Sequence, residues 1–101
     1  MERRLKLQSI LEELLESRNV YYQPPESVKM QYPAIRYSKS NISSRHADDG
    51  KYSNFTRYEI TVIDGLPDNK VIQKILELPL SSFDRHYISN NLNHDTITLY
   101  F

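Results

Sequence analysis

From residue 3 to residue 17 the apolar positions are Leu7, Ile10, Leu11, Leu14 and Leu15. That spacing makes one stripe on an α-helix. Basic residues lead the segment and acidic ones trail it, against the preference of the helix dipole. Burying the stripe, at about 1.5–3 kcal/mol per side chain, outweighs that penalty, so the helix must pack on something. "NVYYQPP", 19–25, reads as a short strand stopped by two prolines, which lack the N–H a ladder needs. "PAIRYSK", 33–39, sets Ile35 and Tyr37 against Ala34 and Arg36, the alternation of a half-buried strand. "RYEITVID", 57–64, is the clearest strand, with Tyr58, Ile60 and Val62 on one side and Glu59, Thr61 and Ile63 on the other.

"GLPDNK" turns the chain, and Asp68 is placed to cap a helix. Val71, Ile72, Ile75 and Leu76 form that helix's stripe, and Pro79 stops it. "SSFDRHYIS", 81–89, reads as a strand with Phe83, Arg85 and Tyr87 facing one way. "NNLN" is a turn cluster. "HDTITLYF", 94–101, alternates Ile97, Leu99 and Phe101 with Thr96, Thr98 and Tyr100. The order α-β-β-β-α-β-β predicts an α+β domain. A mostly antiparallel sheet of about five strands is covered by two amphipathic helices on one face.

The segment 40–57, "SNISSRHADDGKYSNFTR", fits no part of a core. Asp49-Gly50 is a hairpin signal, because a type I′ turn needs positive φ at both central residues. The neighbouring strands then continue as a polar arm with Arg45, His46, Asp48, Asp49, Lys51, Tyr52 and Phe55 along it. An isolated two-stranded ribbon is marginal in water. A disordered surface loop in the free chain, and an arm that orders against a neighbouring subunit, are compatible readings.

Composition narrows the function classes. A chain of 101 residues predicts a single domain. Eight of its aromatics are Tyr and three are Phe, rings suited to half-buried strands and interfaces. Thirteen Lys and Arg balance thirteen Asp and Glu. A zero net charge argues against an electrostatic nucleic-acid binder and permits self-association. Without Cys there is no disulfide and no thiolate metal site. The first residues are basic, but Glu12, Glu13 and Glu16 interrupt any apolar run, so neither a signal peptide nor a membrane span is expected.

Candidate chemistry is thin. His46, Asp48 and Asp49 are too few and too loosely held for a metal site. His94-Asp95 resembles a two-residue hydrolase signature but opens a strand, away from further ligands. "PDNK", 67–70, resembles part of a nuclease motif, yet a turn and helix cap explain it. Two Gly in the whole chain exclude a Gly-rich phosphate loop. Tyr21, Tyr22, Tyr58 and Tyr87 have few interleaved basic residues, which favours core or interface roles over base stacking. No catalytic, cofactor or metal residue is expected, although His46, His86 and His94 are the candidates if the chain were a small enzyme.

Four segments carry a resemblance: "YYQPPESVKMQYPAIRY" (21–37), "ADDGKYSNFTRYEITVID" (47–64), "LPDNKVIQKILELPLSSFDRHY" (66–87) and "NNLNHDTITLYF" (90–101). Through them the chain resembles the small head–tail joining and tail-terminator proteins of long-tailed bacteriophages and prophages. That resemblance implies a virion protein that uses no cofactor and does no chemistry. It implies a homo-oligomeric ring, commonly of six subunits, at the head–tail junction, assembled in the host cytoplasm. The ring would cap the tail tube and meet the tail-tube protein on one side and the head-completion or connector protein on the other. DNA would pass through it without sequence-specific binding, and no membrane is involved. A ring needs a heterologous interface. The polar arm is one candidate for it, and the last strand, with Thr98, Tyr100 and Phe101, is another if it forms an exposed edge. A small phage-encoded nucleic-acid-binding or processing protein is the alternative.

Overall fold

The computed structural model describes residues 2–25, 27–39, 56–66 and 69–101. Its elements are helix α1 (Glu2–Leu15), strands β1 (Val20–Tyr22), β2 (Ala34–Lys39) and β3 (Arg57–Asp64), helix α2 (Val71–Leu76), and strands β4 (Ser81–Ser89) and β5 (Leu92–Tyr100). The five strands form one sheet in the order β1-β2-β3-β5-β4. β1 runs parallel to β2, and every other neighbour pair is antiparallel. The α+β architecture expected from the pattern is therefore the one observed. The polar arm, with Arg45, His46, Asp48, Asp49, Lys51, Tyr52 and Phe55, and the expected cap Asp68 lie outside the described residues.

Both helices bury their stripes on one face of the sheet. Leu7 and Leu11 of α1 and Val71 and Ile75 of α2 meet Ile35, Tyr37, Tyr58, Ile60, Val62, Ile97 and Leu99. Register explains the shared face: Ile60 lies opposite Tyr37 on one side and Ile97 on the other, and directly opposed residues project to the same side. Leu14 and Leu15 complete the α1 contact as half-buried flanks.

α1 ends in a Schellman-type turn. Ser17 N–H donates to the Glu12 carbonyl at 3.1 Å, and Glu16 N–H donates to that of Glu13 at 3.2 Å. Glu16 takes the left-handed position, φ 60°, which usually falls to glycine. At the start of α2 the Val71 N–H donates to Asn69 Oδ1 at 2.9 Å, and Asn69 Nδ2 donates to Asp64 Oδ2 at 2.8 Å. Asn69 thus supplies a capping oxygen to the first turn. Asn90 and Asn91, φ 53° and 64°, form the two-residue link between β4 and β5. Two successive positive φ values are the signature of a type I′ hairpin turn, and asparagine tolerates them better than most side chains.

Under α1, three tyrosines cross the strands in a row. Tyr22 and Tyr37 have ring centroids 4.9 Å apart, and Tyr37 and Tyr58 6.0 Å. The Tyr37 hydroxyl donates to Gln8 Oε1 at 2.5 Å and accepts from Arg4 Nη1 at 3.4 Å. Gln8 Nε2 donates to the Val20 carbonyl at 3.0 Å, tying α1 to β1. The Arg4 guanidinium lies 4.6 Å over the Tyr22 ring. Burial pushes the Tyr37 and Tyr58 phenols up from their ordinary range; at Tyr37 the Arg4 cation opposes the rise in part.

Candidate functional site

The last strand is not an edge. β5 pairs with β3 on one side and β4 on the other. Thr98 lies opposite both Glu59 and Ser82. Tyr100 lies opposite Arg57 and donates its N–H to the Leu80 carbonyl at 3.1 Å. Phe101 N–H donates to the Thr56 carbonyl at 2.9 Å. The backbone groups of this segment are spent inside the sheet, so Thr98, Tyr100 and Phe101 offer no free ladder to a partner. The expectation of an edge there is corrected: a half-buried alternation looks the same in a central strand and in an outer one.

The outer strands are β1, of three residues, and β4, of nine. β4 is exposed from Ser82 to Ser89. Phe83 is 48 % exposed and Ile88 68 %, a large apolar display for an unpaired edge. A β-bulge interrupts β4: Phe83 lies opposite Ile97, whereas Arg85 lies opposite Thr96. Consecutive β5 residues face opposite ways. Phe83 therefore shares the helix side of the sheet with Ile97, and Arg85 and Tyr87 point to the open side. The expectation that Phe83, Arg85 and Tyr87 face one way is corrected by the extra residue, Asp84.

The histidines fall on both sides. His94 and Asp95 are neighbours in β5 and so project to opposite faces, which separates the apparent hydrolase pair. Each instead meets a residue of β4. On the helix side His86 Nδ1 and Asp95 Oδ1 are 2.7 Å apart, with the Asp95 side chain only 10 % exposed. On the open side the His94 ring stacks on Tyr87, centroids 4.7 Å apart and planes 12° apart. His94 Nδ1 lies 3.0 Å from the Leu92 carbonyl oxygen, where a protonated Nδ1 donates to it. Among the described residues no third polar side chain is hydrogen-bonded to His86, and Asp95 orients its imidazole. No group of three or more metal-ligating side chains occurs among the described residues. No helix among them is long and apolar enough to cross a membrane.

Two concavities accompany these features. An apolar cleft of about 360 Å³ opens between Lys6 of α1, the Leu78–Leu80 turn and Phe101. A polar groove of about 270 Å³ lies on the open face, lined by Gln23, Arg36, Ser38, Glu59 and Thr61. That face carries no helix. Across its middle run Arg36, Thr61, Thr96 and Arg85 in register, one from each of β2, β3, β5 and β4. Sequence reasoning missed this row, because the side each residue occupies depends on strand order and on the bulge. Compared with protein-family models, with curated proteins and with solved structures, the chain finds no match in any of the three.

Proposed function

We propose that the chain is a structural, non-enzymatic subunit of a phage head–tail junction, acting by forming a closed ring in the virion. Its work is mechanical: it associates with copies of itself, caps the tail tube and docks the capsid connector. The observation that carries this reading is the unequal treatment of the two sheet edges. β1 offers three residues followed by Pro24 and Pro25, while β4 offers nine exposed residues with Phe83 and Ile88 uncovered. A surface with two dissimilar edges suits the heterologous contact that a ring requires, and a zero net charge does not oppose it. The phrases "PPESVKMQYPAI" and "LNHDTITLYF" support the same family.

The test is the mass of the protein in solution, alone and with tail-tube protein, together with the phenotype of its loss. A ring that binds tube ends, with overlong tails when the protein is absent, is the outcome for a terminator. Separate heads and tails of normal length are the outcome for a joining protein. Normal, infectious particles in its absence would sink the proposal.

A further inference from the structure

We infer that the helix-free face of the sheet is a binding surface for the phosphate backbone of nucleic acid, held by Arg36, Arg57 and Arg85. The inference rests on the ring reading above for its biological setting, but on this face alone for its chemistry. Register puts the three guanidinium groups on one side. Arg36 lies opposite Thr61, Arg57 opposite Tyr100, and Arg85 opposite Thr96. Among the described residues none of the three has a carboxylate within ion-pair distance; the ion pairs there are Lys74–Glu16 and His86–Asp95. Glu59 stands on the same face, in the row between Ser38 and Thr98, and the carboxylate of the bulged residue Asp84 adjoins Arg85 in sequence. His94 is the other titratable group facing the surface along with the tyrosines, and it lies against Tyr87. Arg85 reaches over the Tyr87 ring at 5.6 Å.

The zero net charge of the whole chain hides this sidedness. α1, which packs on the opposite side, carries Glu2, Glu12 and Glu13 against Arg3, Arg4 and Lys6 and so adds no net charge there. A positive face with interleaved aromatic rings is the electrostatic footprint of a polyanion site. Arg36 and Arg85 sit three strand spacings apart, about 14 Å, which spans roughly four nucleotides of axial rise along one strand. The row between them is Thr61 and Thr96, each 3 % exposed, so a backbone lying across it meets the arginine side chains and not the threonine hydroxyls. No base-reading constellation accompanies them, so the contact is indifferent to sequence. In a ring through which DNA passes, this face is the one suited to meet the duplex.

The test uses the full chain and a labelled short duplex of mixed sequence, titrated at several salt concentrations. Three phosphate contacts per subunit predict a slope of log affinity on log salt of about −2.7, or about 40-fold weaker binding between roughly 50 and 200 mM salt. Replacing all three arginines (Arg36→Gln, Arg57→Gln, Arg85→Gln) should remove that slope. The three-lysine version should keep it, which separates loss of charge from loss of fold. Neutralising Lys6, Arg18 and Lys70, exposed cations carried by or beside the helices, should leave the slope unchanged. Equal loss in this control, no duplex binding by the wild type, or binding of polyglutamate in place of duplex each overturns the inference. A ring that forms but ignores duplex removes this inference and leaves the assembly reading standing. Duplex binding by a chain that never assembles does the reverse.

Discussion

Removing the Tyr37 hydroxyl isolates one polar tie in an otherwise apolar interface. Tyr37→Phe keeps the ring in its row between Tyr22 and Tyr58 and deletes only the oxygen that donates to Gln8 and accepts from Arg4. A net hydrogen bond contributes about 0.5–1.5 kcal/mol, and a buried acceptor left unpaired costs about 1–3 kcal/mol. Gln8 is half-buried, so water recovers part of the second term. The expected loss is about 1–2 kcal/mol, a fall in Tm on the order of 5–15 °C for a domain of this size. Gln8→Ala should cost at least as much, since it also breaks the bond to the Val20 carbonyl. Urea unfolding of wild type, both single variants and the double variant closes a cycle. The expected coupling is about 1 kcal/mol, with unchanged m-values. Single losses that add to within about 0.3 kcal/mol would refute the reasoning, because the two groups would then be stabilising the fold independently.

The raised phenols make an alkaline prediction. The native state holds the Tyr37 and Tyr58 protons more tightly than the unfolded chain does. Stability is therefore complete below about pH 10 and is lost as pH rises through the native values, by at most about 1.4 kcal/mol per pH unit for each phenol. Urea midpoints measured from about pH 9 upward should fall less steeply in Tyr37→Phe than in wild type; parallel curves would count against it. Leu11→Ala, at a fully buried site, should cost about 2–5 kcal/mol, and Leu14→Ala, at a half-buried one, about half as much; equal losses by calorimetry would mean that α1 sits differently on the sheet. Glu16→Gly should raise stability by about 0.5–1 kcal/mol, because it relieves a left-handed residue and gives up only an exposed ion pair with Lys74. A lower Tm in that variant would contradict the turn described.

Residues whose identity matches their local setting were legible in advance. β3 spans 57–64 as its alternation implies, because Tyr58, Ile60 and Val62 must share the buried side whatever lies beside them. α1 was legible for the same reason: Leu7 and Leu11 are one turn apart and both vanish into the core. What stayed hidden depends on relations between segments. Thr96 is 3 % exposed on a face without a helix, which shows β5 to be flanked on both sides, yet a threonine in that alternation also suits an outer strand. The placement of Arg36 and Arg85 in one row needs both the strand order and the extra residue in β4. Neither leaves a mark in composition. At α2 a capping oxygen comes from Asn69, a residue not singled out in the sequence; the expected cap, Asp68, lies outside the described residues.

The interruption at Asp84 gives the outer strand a sense of handedness that its length alone would not. Upstream of it, side chains obey one parity of the numbering; downstream they obey the other. Excising that one residue would therefore leave a regular ladder, with Phe83 still opposite Ile97 and Arg85 still opposite Thr96. Drawing Asp84 into the ladder would instead act as a half-turn of the stretch before it: with the hairpin at Asn90-Asn91 holding the far end, Phe83 would pass to the open side and Ser82 to the helix side. The protein would then keep every side chain and lose the side on which Phe83 stands.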